Sequence, residues 1–457
     1  MAEPPLSIFN RPIVGDTLKF LSSPALWSRE LSKRGDVVKA YIRGIDGLKM
    51  STVYHLSGVE GLKAFYDEKN VARGSIDTPP DPYLFDNYLF VVPKLNLEAH
   101  KIRKGILLQV VHSPENIDRF IETIVSLSQG FIETLSAKIK DGKLAKIPLN
   151  TAIRQFTARF TAKYLWSYDD ADGIFIRKQY EAINDISSVP LKLPFFAYND
   201  GIKIAKWLRE FSYSRLAEHR LEPDKYNDTM KLLMNAVPRL TDEELILELN
   251  HLLFAINGLS STATGAIIKL LQHKNTEIYG KVTAEIENNR ELLESFNNNQ
   301  SINGKKIDEK FPYLLNVIRE SLRLYPVAPM QLANSVREFQ VEGYKIPKDV
   351  IVIGAIYGNG FDPKLYPDSE EFRPERFEHE ITNTTSGYEY SSFGAGDIST
   401  SHRCAGQPAA LSYCVYIIAR LLAKFEISLV DSNQSFSWTT AFPRPVNECP
   451  VEIKFKS

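Results

Sequence analysis

Cysteine is scarce in this chain of 457 residues: it has three, Cys404, Cys414 and Cys449, all in the last eighth of the sequence. A disulfide framework is therefore excluded as the scaffold, and a reducing compartment is the expected setting. Net charge is also missing. Lys+Arg at 55 nearly cancel Asp+Glu at 56, which argues against nucleic acid or any other polyanion as a partner. Neither an uninterrupted apolar run of membrane-spanning length nor a charged-then-apolar leader opens the sequence, since Met1 runs straight into Ala2-Glu3-Pro4-Pro5. The expectation is a chain without a transmembrane anchor, cytoplasmic or peripheral on a membrane. No repeat of fixed period is visible. What is plentiful is core-forming material: 44% of residues are hydrophobic and 24% charged, a globular balance that excludes collagen-like and disordered chains.

The first 90 residues mix short strand-like runs such as Val37 to Ile42 and Lys49 to Tyr54 with proline and glycine punctuation. From about Leu97 to Leu324 the apolar spacing is helical. After Tyr325-Pro326 strand-like pieces return, followed by an apolar helix from about Gln407 to Ala423 and terminal strands. This order predicts a mainly α, α+β architecture. A helical lobe of residues 95–325 and 391–424 stands beside a smaller β-rich lobe made from both chain ends, residues 1–75, 327–390 and 425–457, in a single domain. The longest helix should start at the capping box Thr241-Asp242-Glu243-Glu244 and run to about Gln272. In its middle, Asn257-Gly258-Leu259-Ser260-Ser261-Thr262 is a polar break where helix propensity favours Ala or Leu. Either the helix bends there or something polar faces it.

Two constellations carry chemistry. Glu320 and Arg323 are three residues apart, on one helix face. Pairs of this kind are common on solvated helices, where they contribute little. Leu315, Ile318, Leu322 and Leu324 surround this one, however, and Phe372-Arg373-Pro374-Glu375-Arg376-Phe377 offers a third member in Arg376. The second constellation is Phe393-Gly394-Ala395-Gly396-Asp397-Ile398-Ser399-Thr400-Ser401-His402-Arg403-Cys404-Ala405-Gly406, followed directly by the last apolar helix. A lone cysteine is commonly a small buried apolar side chain. Just before a helix N-terminus, though, the free amides favour its thiolate, the form that ligates metal. Gly394, Gly396 and Gly406 permit a tight loop and the close approach of a flat macrocycle such as haem, whose iron accepts a single Cys thiolate.

Together these residues resemble the cytochrome P450 superfamily across the whole chain, from Pro12-Ile13-Val14-Gly15-Asp16 through Glu320/Arg323 and Phe372–Phe377 to the Phe-Gly-x-Gly…Cys-x-Gly loop. The resemblance implies haem b as cofactor, Cys404 as its thiolate ligand and Phe393 beside the sulfur. It also implies a structural network of Glu320, Arg323 and Arg376 behind the haem.

Two departures from the family pattern direct the functional reading. Phe393 and Cys404 are eleven positions apart where the family has seven, and the acid that monooxygenases carry in the central helix is replaced by Ser260, followed by Ser261. An alcohol neither holds nor delivers a proton as a carboxyl does, so the relay that activates dioxygen is compromised. The same features are similar to the clan of allene oxide synthases, hydroperoxide lyases and epoxyalcohol synthases, which have an Asn over the haem, here Asn257, and a His-x-x-x-Lys pair, here His100 and Lys104. In that resemblance His100, Lys104 and His402 are propionate donors, and Phe85 or Phe90 lines the site where radicals form. The aromatic run at 83–90 also reads as ordinary core, and His100 as a surface histidine. The apolar loop Val189–Tyr198 corresponds to an access lid that touches lipid, or simply packs on the domain. The implied activity is rearrangement of polyunsaturated fatty-acid hydroperoxides by homolytic O–O cleavage, giving epoxyalcohol, allene oxide or cleavage products. Neither dioxygen nor a redox partner is expected. A conventional monooxygenase using NAD(P)H and a reductase, and a non-catalytic haem or lipid carrier, are the alternatives.

Overall fold

In the computed structural model, the described residues are 3–43, 49–72, 97–140, 143–171, 173, 177, 196–295, 304–379, 387–438 and 442–456, with the side chains of 97–100, 196–205, 304–306 and 379 outside this description. Phe85, Phe90 and residues 189–195 of the lid loop lie outside the described residues.

Strands from the N-terminal part of the chain and from residues 331–354 meet in one five-stranded sheet. Strands β1 (Val37–Arg43) and β2 (Met50–Leu56) pair antiparallel, and β2 runs parallel to β8 (Ile351–Gly354). Beyond β8 lie β5 (Gln331–Ser335) and then β3 (Val71–Ala72), giving the order β1-β2-β8-β5-β3. β8 is buried along its whole length because both faces are covered. Strand alternation sends Val352 into a cluster with Leu62, Phe65 and Ala333, and Ile351 and Ile353 into another with Trp27 and Leu31. β6 (Phe339–Val341) and β7 (Tyr344–Ile346) form a separate hairpin, and β10 (Phe436–Ser437) pairs with β11 (Arg444–Pro445).

The expected placement of residues 425–457 in the β-rich lobe needs correction. β12 (Pro450–Phe455) lies between β9 (Phe425–Leu429) and β4 (Ala145–Pro148), the latter a strand inside the otherwise helical stretch. Phe425, Ile427, Val451 and Ile453 are buried in the helical core, not against the five-stranded sheet.

The central helix spans Asp242–Gln272 as one element of 31 residues, about 46 Å long. Its capping box forms as predicted, with the Thr241 hydroxyl on the Glu244 amide and the Glu244 carboxylate on the Thr241 amide. By length and composition this helix could cross a membrane, but 78% of its apolar window is buried inside the protein, as befits a core helix. It packs against Leu149–Trp166, Pro312–Leu324 and Gln407–Lys424.

The Glu320/Arg323 pair is fully buried. Both Glu320 oxygens accept from Arg323, at 2.7 and 2.8 Å, and one also accepts from the Arg373 amide at 2.9 Å and from Arg376 at 3.4 Å. The remaining guanidinium donors meet the carbonyls of Ser369 and Glu371 (Arg323) and Asp368 (Arg376) at 2.7 to 2.9 Å, so the buried charges are compensated.

Candidate active site at the cysteine loop and the central helix

The cysteine loop is tied to the helix carrying this network. The Ser392 hydroxyl donates to the Leu322 carbonyl at 3.0 Å, and the Tyr390 hydroxyl to the Arg319 carbonyl at 3.2 Å. Within the loop the Cys404 amide donates to the Phe393 carbonyl at 2.7 Å, closing a ring across the whole insertion. The insertion folds on itself. Asp397 accepts from the Ser399 and Thr400 amides at 2.9 and 3.1 Å, and the Ser401 hydroxyl returns to the Ala395 carbonyl at 2.8 Å. Residues 397–400 thus form a largely exposed turn while the Cys404 amide stays bonded to Phe393.

Gly394 and Gly396 hold φ of +78° and +86°, in the region that favours glycine. A Cβ at 394 would stand 2.8 Å from the His402 carbonyl oxygen. Gly394→Ala is therefore expected to cost about 1 to 3 kcal/mol and to lower haem retention, measurable as the ratio of haem to protein absorbance after purification. Gly406 has an ordinary φ of −84°, and a Cβ there would meet the Cys404 sulfur at 3.9 Å, a normal contact. The expected need for glycine at 406 is thus not steric.

Of the three cysteines Cys404 is exposed, while Cys414 and Cys449 are buried. Yet desolvation is the largest influence on the Cys404 thiol and pushes it up. Both facts describe one geometry, a sulfur reachable from one side and enclosed by protein on the others. The amides of Gly406 and Gln407 and the charges of Lys104 and Arg403 pull toward the thiolate. Among the described residues no three His, Cys, Asp or Glu side chains gather to hold a bare metal ion. A single reachable thiol with amides directed at it fits one axial thiolate on a haem iron.

Lys104 and Arg103 lie on the helix Leu97–Val111. Lys104 is 6% exposed, and its Nζ donates to the Arg403 carbonyl, next to the thiol. His100 is on the same helix one turn earlier, its side chain outside the described residues. Nε2 of His402 pairs with Glu68 at 3.3 Å. Sequence reasoning missed Arg103, which pairs with the buried Glu248 and so fixes this helix to the central one. Only the isolated acid at 248 on an apolar helix hinted at it.

On the central helix the polar break causes no interruption. The Ser260 hydroxyl donates to the Asn257 carbonyl at 2.8 Å and Thr262 to the Gly258 carbonyl at 3.1 Å, both back-bonding to their own helix. Ser261 is buried and its hydroxyl makes no hydrogen bond among the described residues. Asn257 is half-buried, and its carboxamide likewise has no hydrogen-bond partner among them. Beside it Gly258 is required by packing, for a Cβ there would meet Val327 Cγ1 at 2.8 Å. Phe442 packs on the same stretch, its ring 4.8 Å from that of Phe254.

Over residues 83–445 the chain matches the sequence profile of the family described as cytochrome P450. It is 25% identical to the beta-amyrin 28-monooxygenase of Barbarea vulgaris, over 97% of this chain and 91% of that protein. It is 24% identical to the putative cytochrome P450 120 of Synechocystis sp. (strain ATCC 27184 / PCC 6803 / Kazusa), over 97% and 95%. The solved structure of retinoic acid bound cyanobacterial CYP120A1 superposes with a TM-score of 0.80 at 22% identity, covering both chains completely. A mutant of cytochrome P450SP alpha (CYP152B1) gives 0.74 at 16% identity, covering 97% of this chain and 99% of that one.

Proposed function

Because this chain belongs to the cytochrome P450 family, whose members are haem-thiolate enzymes, we propose that Cys404 ligates haem iron and that the enzyme rearranges fatty-acid hydroperoxides without dioxygen or a reductase. Haem iron held by one thiolate supplies homolytic cleavage of a peroxide O–O bond. The reaction needs no external electrons. An epoxyalcohol is an isomer of the hydroperoxide, an allene oxide differs from it by one water, and chain cleavage conserves every atom.

The observation that carries this reading is the central helix. It presents the Asn257 carboxamide without a partner among the described residues, while the hydroxyl at the position of the family's acid, Ser260, is engaged by the Asn257 carbonyl. Asn257 donates an N–H to the peroxide oxygens and holds the departing oxygen as the bond opens. Ser260 directs its hydroxyl proton to the Asn257 carbonyl, which makes it a poorer relay than a carboxyl group. Val327 and Phe442 form an apolar wall beside Gly258 that limits water, and so bears on which product leaves.

Lipid hydroperoxide added to purified holoenzyme should be consumed with no reductase present. Asn257→Leu should slow that turnover about 10²- to 10³-fold, the effect of losing one transition-state hydrogen bond. A haem or lipid carrier would be indifferent to the change. A second reading is a conventional monooxygenase, and it is favoured by the activity named for the Barbarea vulgaris relative. In that case hydroperoxide is not turned into isomeric products, and oxidation of the natural substrate depends on NAD(P)H and a reductase.

A further inference from the structure

Seven residues before Asn257 on the central helix stands Asn250, whose buried Oδ1 has no hydrogen-bond partner among the described residues. Seven residues are almost two whole turns, so the two carboxamides share a helix face about 10 Å apart. Phe254 lies between them on that face, against Phe442. A buried polar atom without a partner is uncommon and costly. Here that buried oxygen and the half-buried Asn257 carboxamide flank an apolar surface on the helix that carries the proposed site. From this we infer that Asn250 binds the carboxyl group of the substrate, so that the chain lies along Phe254 with its peroxide at Asn257. The inference rests on the hydroperoxide reading and adds a positional rule to it.

The amide suits a carboxyl group because it offers an acceptor as it stands and a donor when turned over. The separation sets the ruler. An extended backbone advances roughly 3.6 Å for every three bonds, so about 10 Å corresponds to eight or nine bonds of extended carbon chain. The acid of an 18-carbon hydroperoxide then reaches Asn250 when the peroxide sits on carbon 9 or 10. With the peroxide on carbon 13 the acid overshoots by about four bonds.

The unreactive 9-hydroxy and 13-hydroxy octadecadienoic acids separate this inference from the reading beneath it. Each is titrated into the holoenzyme, and binding is read from the change in haem absorbance, with no turnover involved. The 9-hydroxy acid should bind about tenfold more tightly, as expected for one hydrogen bond to a charged group, and its methyl ester should lose that advantage. Asn250→Leu should remove the difference between the isomers, as should Asn250→Ala. Removing a partnerless polar group does not threaten the fold, and haem content checks this. Equal binding of the two acids to the unaltered enzyme overturns the inference, as does discrimination that survives both substitutions. If discrimination is found and tracks Asn250 while hydroperoxide is not consumed, the subsite stands and the hydroperoxide reading falls.

Discussion

Cys404→Ala is expected to fold, to lose the thiolate-type haem spectrum and to lose all hydroperoxide turnover. Cys404 is an exposed residue whose sulfur is reachable from one side, so deleting that one atom leaves the apolar core intact, and the loop keeps the bond from the residue 404 amide to the Phe393 carbonyl. What disappears is the only thiol the loop offers, because Cys414 and Cys449 are buried elsewhere. The check is the absorbance of the reduced, carbon monoxide-bound protein, which should lose its thiolate signature. Cys414→Ala should leave that spectrum unchanged, since the Cys414 thiol is buried and pushed well above its usual range by desolvation.

Arg323→Ala is expected to abolish soluble, folded protein. The substitution strips Glu320 of its bidentate partner and leaves the carbonyls of Gly360, Ser369 and Glu371 without the donors that reach them. Breaking a buried pair by removing one partner costs about 3 to 5 kcal/mol, a large share of the roughly 5 to 15 kcal/mol that holds a domain together. Soluble yield and the urea midpoint measure the effect. Arg323→Lys should be nearly as damaging, because one ammonium cannot replace a planar fork that meets a carboxylate and three carbonyls. The loop held to this helix through Ser392 and Tyr390 should lose haem at sub-denaturing urea before the fold unravels.

The elements that were legible in the sequence are those whose signals are local. Thr241 and Glu244 mark the start of the central helix because a capping box needs only four residues. β8 was legible as an uninterrupted apolar run. The Glu320/Arg323 pair was visible, and its apolar neighbours with Arg376 pointed to a buried network, but the spacing alone was ambiguous, since an exposed pair three residues apart looks the same. Burial is decided by carbonyls some 37 to 48 positions away. β4 escaped notice because four residues inside a helical stretch carry too little periodicity to stand out, and their partner lies near the chain end. Within the site, Gly394 and Gly396 were legible from backbone chemistry, whereas the same expectation for Gly406 was not met. The Lys104 bond to the Arg403 carbonyl was not legible, because it joins residues 299 apart. Asn250 reads in the sequence as an unremarkable polar residue. Its meaning lies in a missing partner, which only packing reveals.

The strand β4, completed by β12 about three hundred residues later, has a consequence for how the chain is made. While a ribosome is still translating the intervening helices, Ala145 and Ile147 have nothing to cover their exposed strand edge. At synthesis rates of roughly 5 to 20 residues per second, that edge stays open for some tens of seconds. Long-range closure of this kind is slow and vulnerable to aggregation, so recombinant yield should depend on temperature and on chaperone supply during translation.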